Sequence, residues 1–259
     1  MRNYKTRCRC LTSKLFQPKA VLIDLDGTVL PLDDRPTDVV INAIAQSAQL
    51  IPTAIASGRV QQDVAHYARM FDLTVPQVAD NGATLVDPLS GRIISSHILD
   101  KSEVENALTQ LVKASDRVLV SDRGRIVWSP EEILDWQISI IMAKFETESE
   151  ARSWADRLSS DTLTVLVSLD NKGDWYIDCT SPGIDKGSGL RDFAAQVGVE
   201  PDDVMVIGDG WNDIAMFEAA GFGVAMDTAP GQLLDLAGDV VPGIDEDGVV
   251  TALERYVLS

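Results

Sequence analysis

The chain has 259 residues, 45% hydrophobic and 24% charged, the make-up of an ordinary globular protein with room for one large domain or two modest ones. Its formal net charge is −18, and the first 19 residues hold six basic and no acidic side chains, so the remainder is more acidic still. Such a body repels nucleic acid, whose binding depends on the opposite sign. No apolar run approaches the roughly 18 residues that span a bilayer, 138–143 being the longest candidate, so no membrane partner is expected. Cys8, Cys10 and Cys179 cannot make a disulfide framework, and an odd count suits a reducing, cytoplasmic setting. Cys8-x-Cys10 has no second Cys or His pair nearby and is not read as a metal site. Residues 1–18 lack the apolar run of a secretory signal. They are Arg-rich and acid-free, faintly like an organellar transit segment, but read more simply as a disordered basic tail.

A buried strand spans 20–24, with Val21, Leu22, Ile23 and Leu25 apolar without alternation, as in a parallel sheet covered on both faces. A loop follows over 28–34, then a helix from Pro36-Thr37-Asp38 to about 50. The short strand 53–56 ends on Ser57-Gly58-Arg59, the helix 60–71 follows, and 77–79 reads as a third strand ending on Asp80-Asn81-Gly82. Strand alternating with helix at this spacing predicts a parallel sheet with right-handed crossovers. Residues 83–180 differ. Hairpins over 83–97 and 163–179, strands at 118–120, 126–128 and 138–144, and helices at 102–114 and 149–158 describe an α+β module with an antiparallel sheet. Four of the five tryptophans fall in it; most are expected in its core, one or two facing a ligand. From 181 the first pattern resumes: helix 186–197, strand 204–207 ending on Gly208-Asp209-Gly210-Trp211-Asn212-Asp213, then further strands at 223–226 and 239–241 and helices at 214–220, 230–236 and 248–258. The expected fold is therefore α/β: a Rossmann-like parallel-sheet core over 19–82 and 181–259, interrupted by an α+β cap over 83–180.

Three apolar strands thus end on polar clusters, and in a parallel sheet those ends share one edge. The alternative for Asp24-x-Asp26 alone is a plain acidic turn. An EF-hand fails because glycine stands at the wrong loop position and Arg35 occupies the place of the terminal Glu. A dinucleotide fingerprint fails because Asp213 replaces the third glycine. Two carboxylates about 4 Å apart repel by roughly 4 kcal/mol at an effective dielectric near 20. Gathering Asp24, Asp26, Asp209 and Asp213 therefore calls for a cation, and an all-oxygen set without Cys or His points to Mg²⁺. Ser57, the Gly58 amide and a lysine could then bind phosphoryl oxygens. One carboxylate could serve as nucleophile and a second, two residues on, as acid and base. His66 and His97 lie outside the clusters and read as surface or packing residues.

Four motifs in order, Asp24-Leu25-Asp26-Gly27-Thr28, Ser57-Gly58-Arg59, Asp185-Lys186-Gly187 and Gly208-Asp209-Gly210-Trp211-Asn212-Asp213, make the chain resemble the haloacid dehalogenase (HAD) superfamily. The likeness is to its Cof-like phosphatase branch, which carries a large (C2-type) cap after the third strand, and it covers about 20–259. Asn81-Gly82-Ala83 and Asp247-Gly248-Val249 also look like that branch. The resemblance implies that Asp24 attacks phosphorus and that Asp26 protonates the leaving alcohol and later activates water. It implies that Asp24, the Asp26 carbonyl, Asp209 and Asp213 hold Mg²⁺, and that Ser57, Gly58, Lys186 and Asn212 bind phosphate. Ser57 stands where threonine is commoner, and Asp227-Thr228-Ala229 departs from the branch's Gly-Asn-Ala beside the site. The expected activity is a phosphatase for small phosphate monoesters, with sugar phosphates the default. A phosphomutase-like transferase is the alternative, since the same carboxylates serve both. A receiver-like signalling module needs neither the second Asp nor a cap. The cap's acidic excess disfavours bisphosphates, and hinges are expected near 82–83 and at Ser181-Pro182-Gly183.

Overall fold

The computed structural model describes residues 16–259. Cys8, Cys10 and most of the expected basic tail lie outside the described residues. The tail's last part is seated, since Phe16 stacks on Phe222 with ring centroids 5.1 Å apart.

The chain runs β1 (Ala20–Ile23), α1 (Asp38–Leu50), β2 (Thr53–Ile55), α2 (Gln61–Met70), β3 (Gln77–Ala79), β4 (Thr84–Val86) and β5 (Ile93–Ser96). It continues through α3 (Lys101–Ala114), β6 (Val118–Asp122), β7 (Arg125–Val127), β8 (Ile138–Phe145), α4 (Glu148–Leu158), β9 (Thr164–Leu169) and β10 (Trp175–Thr180). It closes with α5 (Lys186–Val197), β11 (Val204–Gly208), α6 (Ile214–Ala219), β12 (Phe222–Met226), α7 (Gly231–Leu236), β13 (Asp239–Val241) and α8 (Gly248–Tyr256). Three sheets form among the described residues, in the orders β13-β12-β11-β1-β2, β7-β6-β8-β10-β9 and β3-β4-β5. The first is parallel and the second antiparallel, so the chain is α/β with an added antiparallel layer.

β1 lies mid-sheet, paired with β11 on one side and β2 on the other. Val21 and Ile23 pack with Val40 and Ile44 of α1 and Leu253 of α8, while Ala20 and Leu22 pack with Leu190 and Phe193 of α5 and Met216 of α6. Coverage on both faces is why the strand is apolar without alternation. Each such Leu or Ile stabilises the fold by about 1.5–3 kcal/mol. The antiparallel sheet buries only one face in this way: Ile141 and Ile177 meet Val104 and Leu111 of α3 and Leu158 of α4. Its other face looks toward the cavity described below. No helix among the described residues is long and apolar enough to cross a membrane.

Two expectations change. β3 continues the parallel sheet only briefly, at a parallel Ala56–Val78 bridge with the Ser57 amide donating to the Val78 carbonyl at 3.1 Å, and pairs antiparallel with β4 along its length. The cause is Gln77, whose side-chain oxygen accepts the Ile55 amide at 2.7 Å and takes the place of a ladder partner. The hairpin over 83–97, expected in the cap, is β4–β5 stacked on β3, with Leu85 and Val86 buried in the clusters of the parallel sheet. Leu99 is the first residue packed into the second cluster. We therefore propose that the inserted module begins near residue 98 rather than at 83. Gly82, at φ +99, lies so close to the start of α5 that a Cβ would meet the Asp185 carbonyl oxygen at 1.9 Å.

Candidate active site

β1 ends between its two neighbours. The Asp24 amide donates to the Ile207 carbonyl and the Ala56 amide to the Ile23 carbonyl, both at 2.9 Å. Asp24 is thereby set between the ends of β11 and β2. The chain then folds back sharply, with the Val29 and Leu30 amides both donating to the Leu25 carbonyl at 2.8 Å. Gly27, at φ +84, lies against Asp209; a Cβ there would meet its Oδ2 at 2.2 Å, so any other residue would push the carboxylate away. Thr28 Oγ1 donates to Asp209 Oδ1 at 2.6 Å, fixing that side chain from the same turn.

Lys186 arrives from the opposite side. Asp185 caps α5 in a reciprocal arrangement, its carboxylate accepting the Ser188 amide at 2.8 Å while the Asp185 amide donates to Ser188 Oγ at 3.0 Å. The first helical residue is then Lys186, fully buried, with Nζ donating to Asp24 Oδ1 at 2.5 Å and Asp213 Oδ1 at 2.6 Å. The other Asp213 oxygen accepts the Asp209 and Gly210 amides at 3.0 and 2.8 Å. Asp213 thus holds both the lysine and the loop that carries Asp209.

Oxygens of Asp24, Asp209 and Asp213 all lie within 4.8 Å of one another. Burial, and then the Asp213 charge, raise the Asp24 pKa well above the usual carboxylate range, with Lys186 opposing. Burial and Asp213 push Asp209 up to about 7, against the hydrogen bond from Thr28. Burial disfavours the Lys186 ammonium, but Asp213 and Asp24 outweigh it and hold its pKa above the ordinary value. Three carboxylates against one buried ammonium leave excess negative charge that solvent cannot screen. Hard, oxygen-only donors in this arrangement fit a divalent cation.

Asp26 points elsewhere. Its oxygens accept from Arg59 Nε at 2.9 and 3.1 Å and from Nη2 at 2.6 Å, so it is not among the three clustered carboxylates. Arg59 Nη2 also donates to Asp34 Oδ1 at 2.6 Å. The turn between β9 and β10 completes the knot: Asn171 Nδ2 donates to the Pro31 carbonyl at 2.6 Å and to Asp34 at 3.0 Å, and Lys172 Nζ pairs with Asp34 Oδ2 at 2.9 Å. Against the effect of burial, Lys172, Arg59 and Asn171 hold Asp34 down at about 2. Sequence reasoning gave Arg59 no part, although its place directly after Ser57-Gly58 at a strand end was the available signal.

Gly58 and Asn212 line the same cavity of about 290 Å³ as Asp24 and Asp26. Ser57 is fully buried beside it, its Oγ accepting the Arg59 amide at 3.1 Å. Asn212 Nδ2 donates to Asn81 Oδ1 at 3.0 Å, Asn81 Nδ2 to Asp178 Oδ2 at 2.6 Å, and Ser168 Oγ to the same Asp178 oxygen at 2.6 Å. This relay ties the Asn212 loop to the antiparallel sheet, and Asn81 and Asp178 are further residues that the sequence reading left without a role. His97 pairs with Asp192 at 2.8 Å and His66 lies against the Tyr67 ring, both outside the cavity lining.

Residues 21–136 and 128–253 match the sequence profile of the haloacid dehalogenase-like hydrolases. The chain belongs to that family. The hydrolase is 28% identical over 244 residues to a phosphoglycolate phosphatase of Archaeoglobus fulgidus, covering 93% of this chain and 97% of the relative. It is 26% identical to the 5-amino-6-(5-phospho-D-ribitylamino)uracil phosphatase YcsE of Bacillus subtilis, covering 93% and 96%. Its fold matches a haloacid dehalogenase-like hydrolase from B. subtilis with a TM-score of 0.78 at 22% identity, over 91% of this chain and 99% of that one.

Proposed function

We propose that the hydrolase is a Mg²⁺-dependent phosphatase that hydrolyses small phosphate monoesters through an aspartyl-phosphate on Asp24. The observation that carries the reading is the Asp24 carboxylate at the end of β1, held by Lys186 beside Asp209 and Asp213 and open to the cavity that also receives Asp26. Relatives named as phosphatases along nearly their whole length support the class of reaction. Asp24, Asp209 and the Asp26 carbonyl would hold the ion, with Asp213 as a direct or water-mediated partner, and when bound it would offset the charge of the phosphoryl oxygens.

Asp24 attacks phosphorus as the bond to the leaving oxygen breaks, and Asp26 gives that oxygen its proton. Asp26 then takes a proton from the water that attacks phosphorus, phosphate leaves, and Asp24 is regenerated. In the structure both Asp26 oxygens face Arg59 donors, so Asp26 turns off Arg59 before it can hand over a proton. Lys186, the Gly58 amide, Ser57 and Asn212 supply the donors for the phosphoryl group. Asp213 positions Lys186 and the Asp209 loop.

The test is phosphate release from a panel of sugar, small-acid and cofactor phosphates with Mg²⁺. Asp24→Asn is expected to lower kcat by at least about a thousandfold with the fold intact, and excess EDTA to abolish turnover. Turnover surviving either treatment would remove the reading. Isomerised ester without free phosphate would instead indicate a phosphomutase.

A further inference from the structure

The cavity over Asp24 has two unlike walls. One is the polar end of the parallel sheet. The other is the face of the antiparallel sheet turned away from α3 and α4. Alternation along the strands puts Leu119 of β6, Met142 of β8 and Tyr176 of β10 on this face, Leu119 directly opposite Met142 in register. Ile126 and Trp128 extend it, while Leu169, paired in register with Trp175, borders the cavity only at its rim. Trp128 is 53% exposed, a large aromatic side chain left facing solvent beside a reactive site.

The polar side chains on this wall are mostly engaged. Ser168 donates to Asp178, and Asn171 and Lys172 are held by Pro31 and Asp34. The Arg117 guanidinium lies 5.4 Å from the centre of the Trp128 ring. Among the described residues the Tyr176 hydroxyl has no hydrogen-bond partner in the protein, which leaves one neutral donor beside Leu119, Ile126 and Met142.

We infer that this wall selects phosphate monoesters whose alcohol carries a flat, apolar or aromatic body with few hydroxyls. The inference rests on the phosphatase reading and names its substrate class. A hexose would lay a ring of hydroxyls against a wall whose free donors among the described residues are few, chiefly the Tyr176 hydroxyl and the Arg117 guanidinium, and each hydroxyl left unpaired against Leu119, Ile126 or Met142 opposes binding. A two-carbon acid would leave the Trp128 side of the cavity uncovered. An aromatic body instead covers the apolar wall, meets the Trp128 ring and the Met142 thioether favourably, and can offer one polar atom to Tyr176.

Benzyl phosphate, glucose 6-phosphate and 2-phosphoglycolate all esterify an aliphatic alcohol, so their comparison reads the fit of the body rather than the leaving group. With Mg²⁺ and the full chain, kcat/KM for benzyl phosphate is expected to exceed that of the other two by at least about tenfold. Trp128→Ala, at a half-exposed position, should lower kcat/KM for benzyl phosphate about tenfold, chiefly through KM, and leave 2-phosphoglycolate within about twofold. A preference for either polar ester, or an equal effect of Trp128→Ala on all three, overturns the inference and leaves the phosphatase reading standing. Turnover of none of the three by folded protein overturns the phosphatase reading and the inference with it.

Discussion

At the end of the parallel sheet the polar side chains are locked. Asp213 accepts from Lys186, Asp209 and Gly210; Asp209 accepts from Thr28; Asp26 is gripped by Arg59. Across the cavity, Trp128 stands half exposed and, among the described residues, the Tyr176 hydroxyl has no hydrogen-bond partner. The first wall is organised before anything binds, which is what charge-handling groups need if they are to act without rearranging. The second gains its burial only when a ligand arrives. Substitutions in the first wall should therefore cost stability or turnover, and those in the second should cost affinity.

The sharpest way to break that contrast is Lys186→Met. It strands two buried carboxylates, and removing one partner of a buried ionic cluster costs about 3–5 kcal/mol. Urea denaturation in metal-free buffer should show a loss of that size, whereas a shift below about 1 kcal/mol would mean the cluster is not preorganised by its lysine. Asp178 links the two walls through Asn81 and Ser168, and burial raises it to about 6. Between about pH 4 and 6 the folded state keeps a proton there that the unfolded chain has released, so this group's contribution to stability falls as pH rises. Asp178→Asn removes that dependence. Its stability relative to the parent should improve by up to about 3 kcal/mol between about pH 4 and pH 6 and stay level above. A difference that does not change with pH would refute the assignment. Asp80, also raised to about 6 by burial, is common to both proteins and cancels. The smallest effect is expected from Arg59→Lys, which keeps the charge but loses the two-pronged grip on Asp26. We expect kcat to fall about tenfold with KM little changed; an unchanged kcat would show that Asp26 needs no positioning.

Much of the first wall could be read in the sequence because its physics is local. A strand covered on both faces is apolar without alternation, and no packing reason ends such a strand on Asp24-x-Asp26 or on Asp209. What the residues could not display was direction. The residues alone gather the Asp24 and Asp26 carboxylates with Asp209 and Asp213 around one cation, yet of these two only the Asp24 carboxylate joins Asp209 and Asp213 while that of Asp26 turns to Arg59. The departure of β3 was equally hidden, because it depends on the Gln77 side chain replacing a backbone partner from another segment. Asp80-Asn81-Gly82, with positive φ at all three residues, reads in the sequence as the polar end of the third strand, with no role given to Asn81, although Asn81 carries the relay to Asp178. In the second wall a signal was present but unread. β8 is apolar on alternate residues of both faces, Ile141 and Ala143 inward and Ile140 and Met142 outward, which is not the pattern of a sheet with one face in water.

The guanidinium of Arg59 serves two clients at once, the carboxylate of Asp26 and, through Asp34, the β9–β10 turn. Free energy shared in this way is reciprocal. Whatever draws Asp26 off Arg59 changes the hold on the turn by the same amount, and whatever lifts the turn changes how readily Asp26 comes free. On the proposed mechanism, proton delivery by Asp26 and the hold on the turn at Asn171 and Lys172 would then be two readings of one equilibrium.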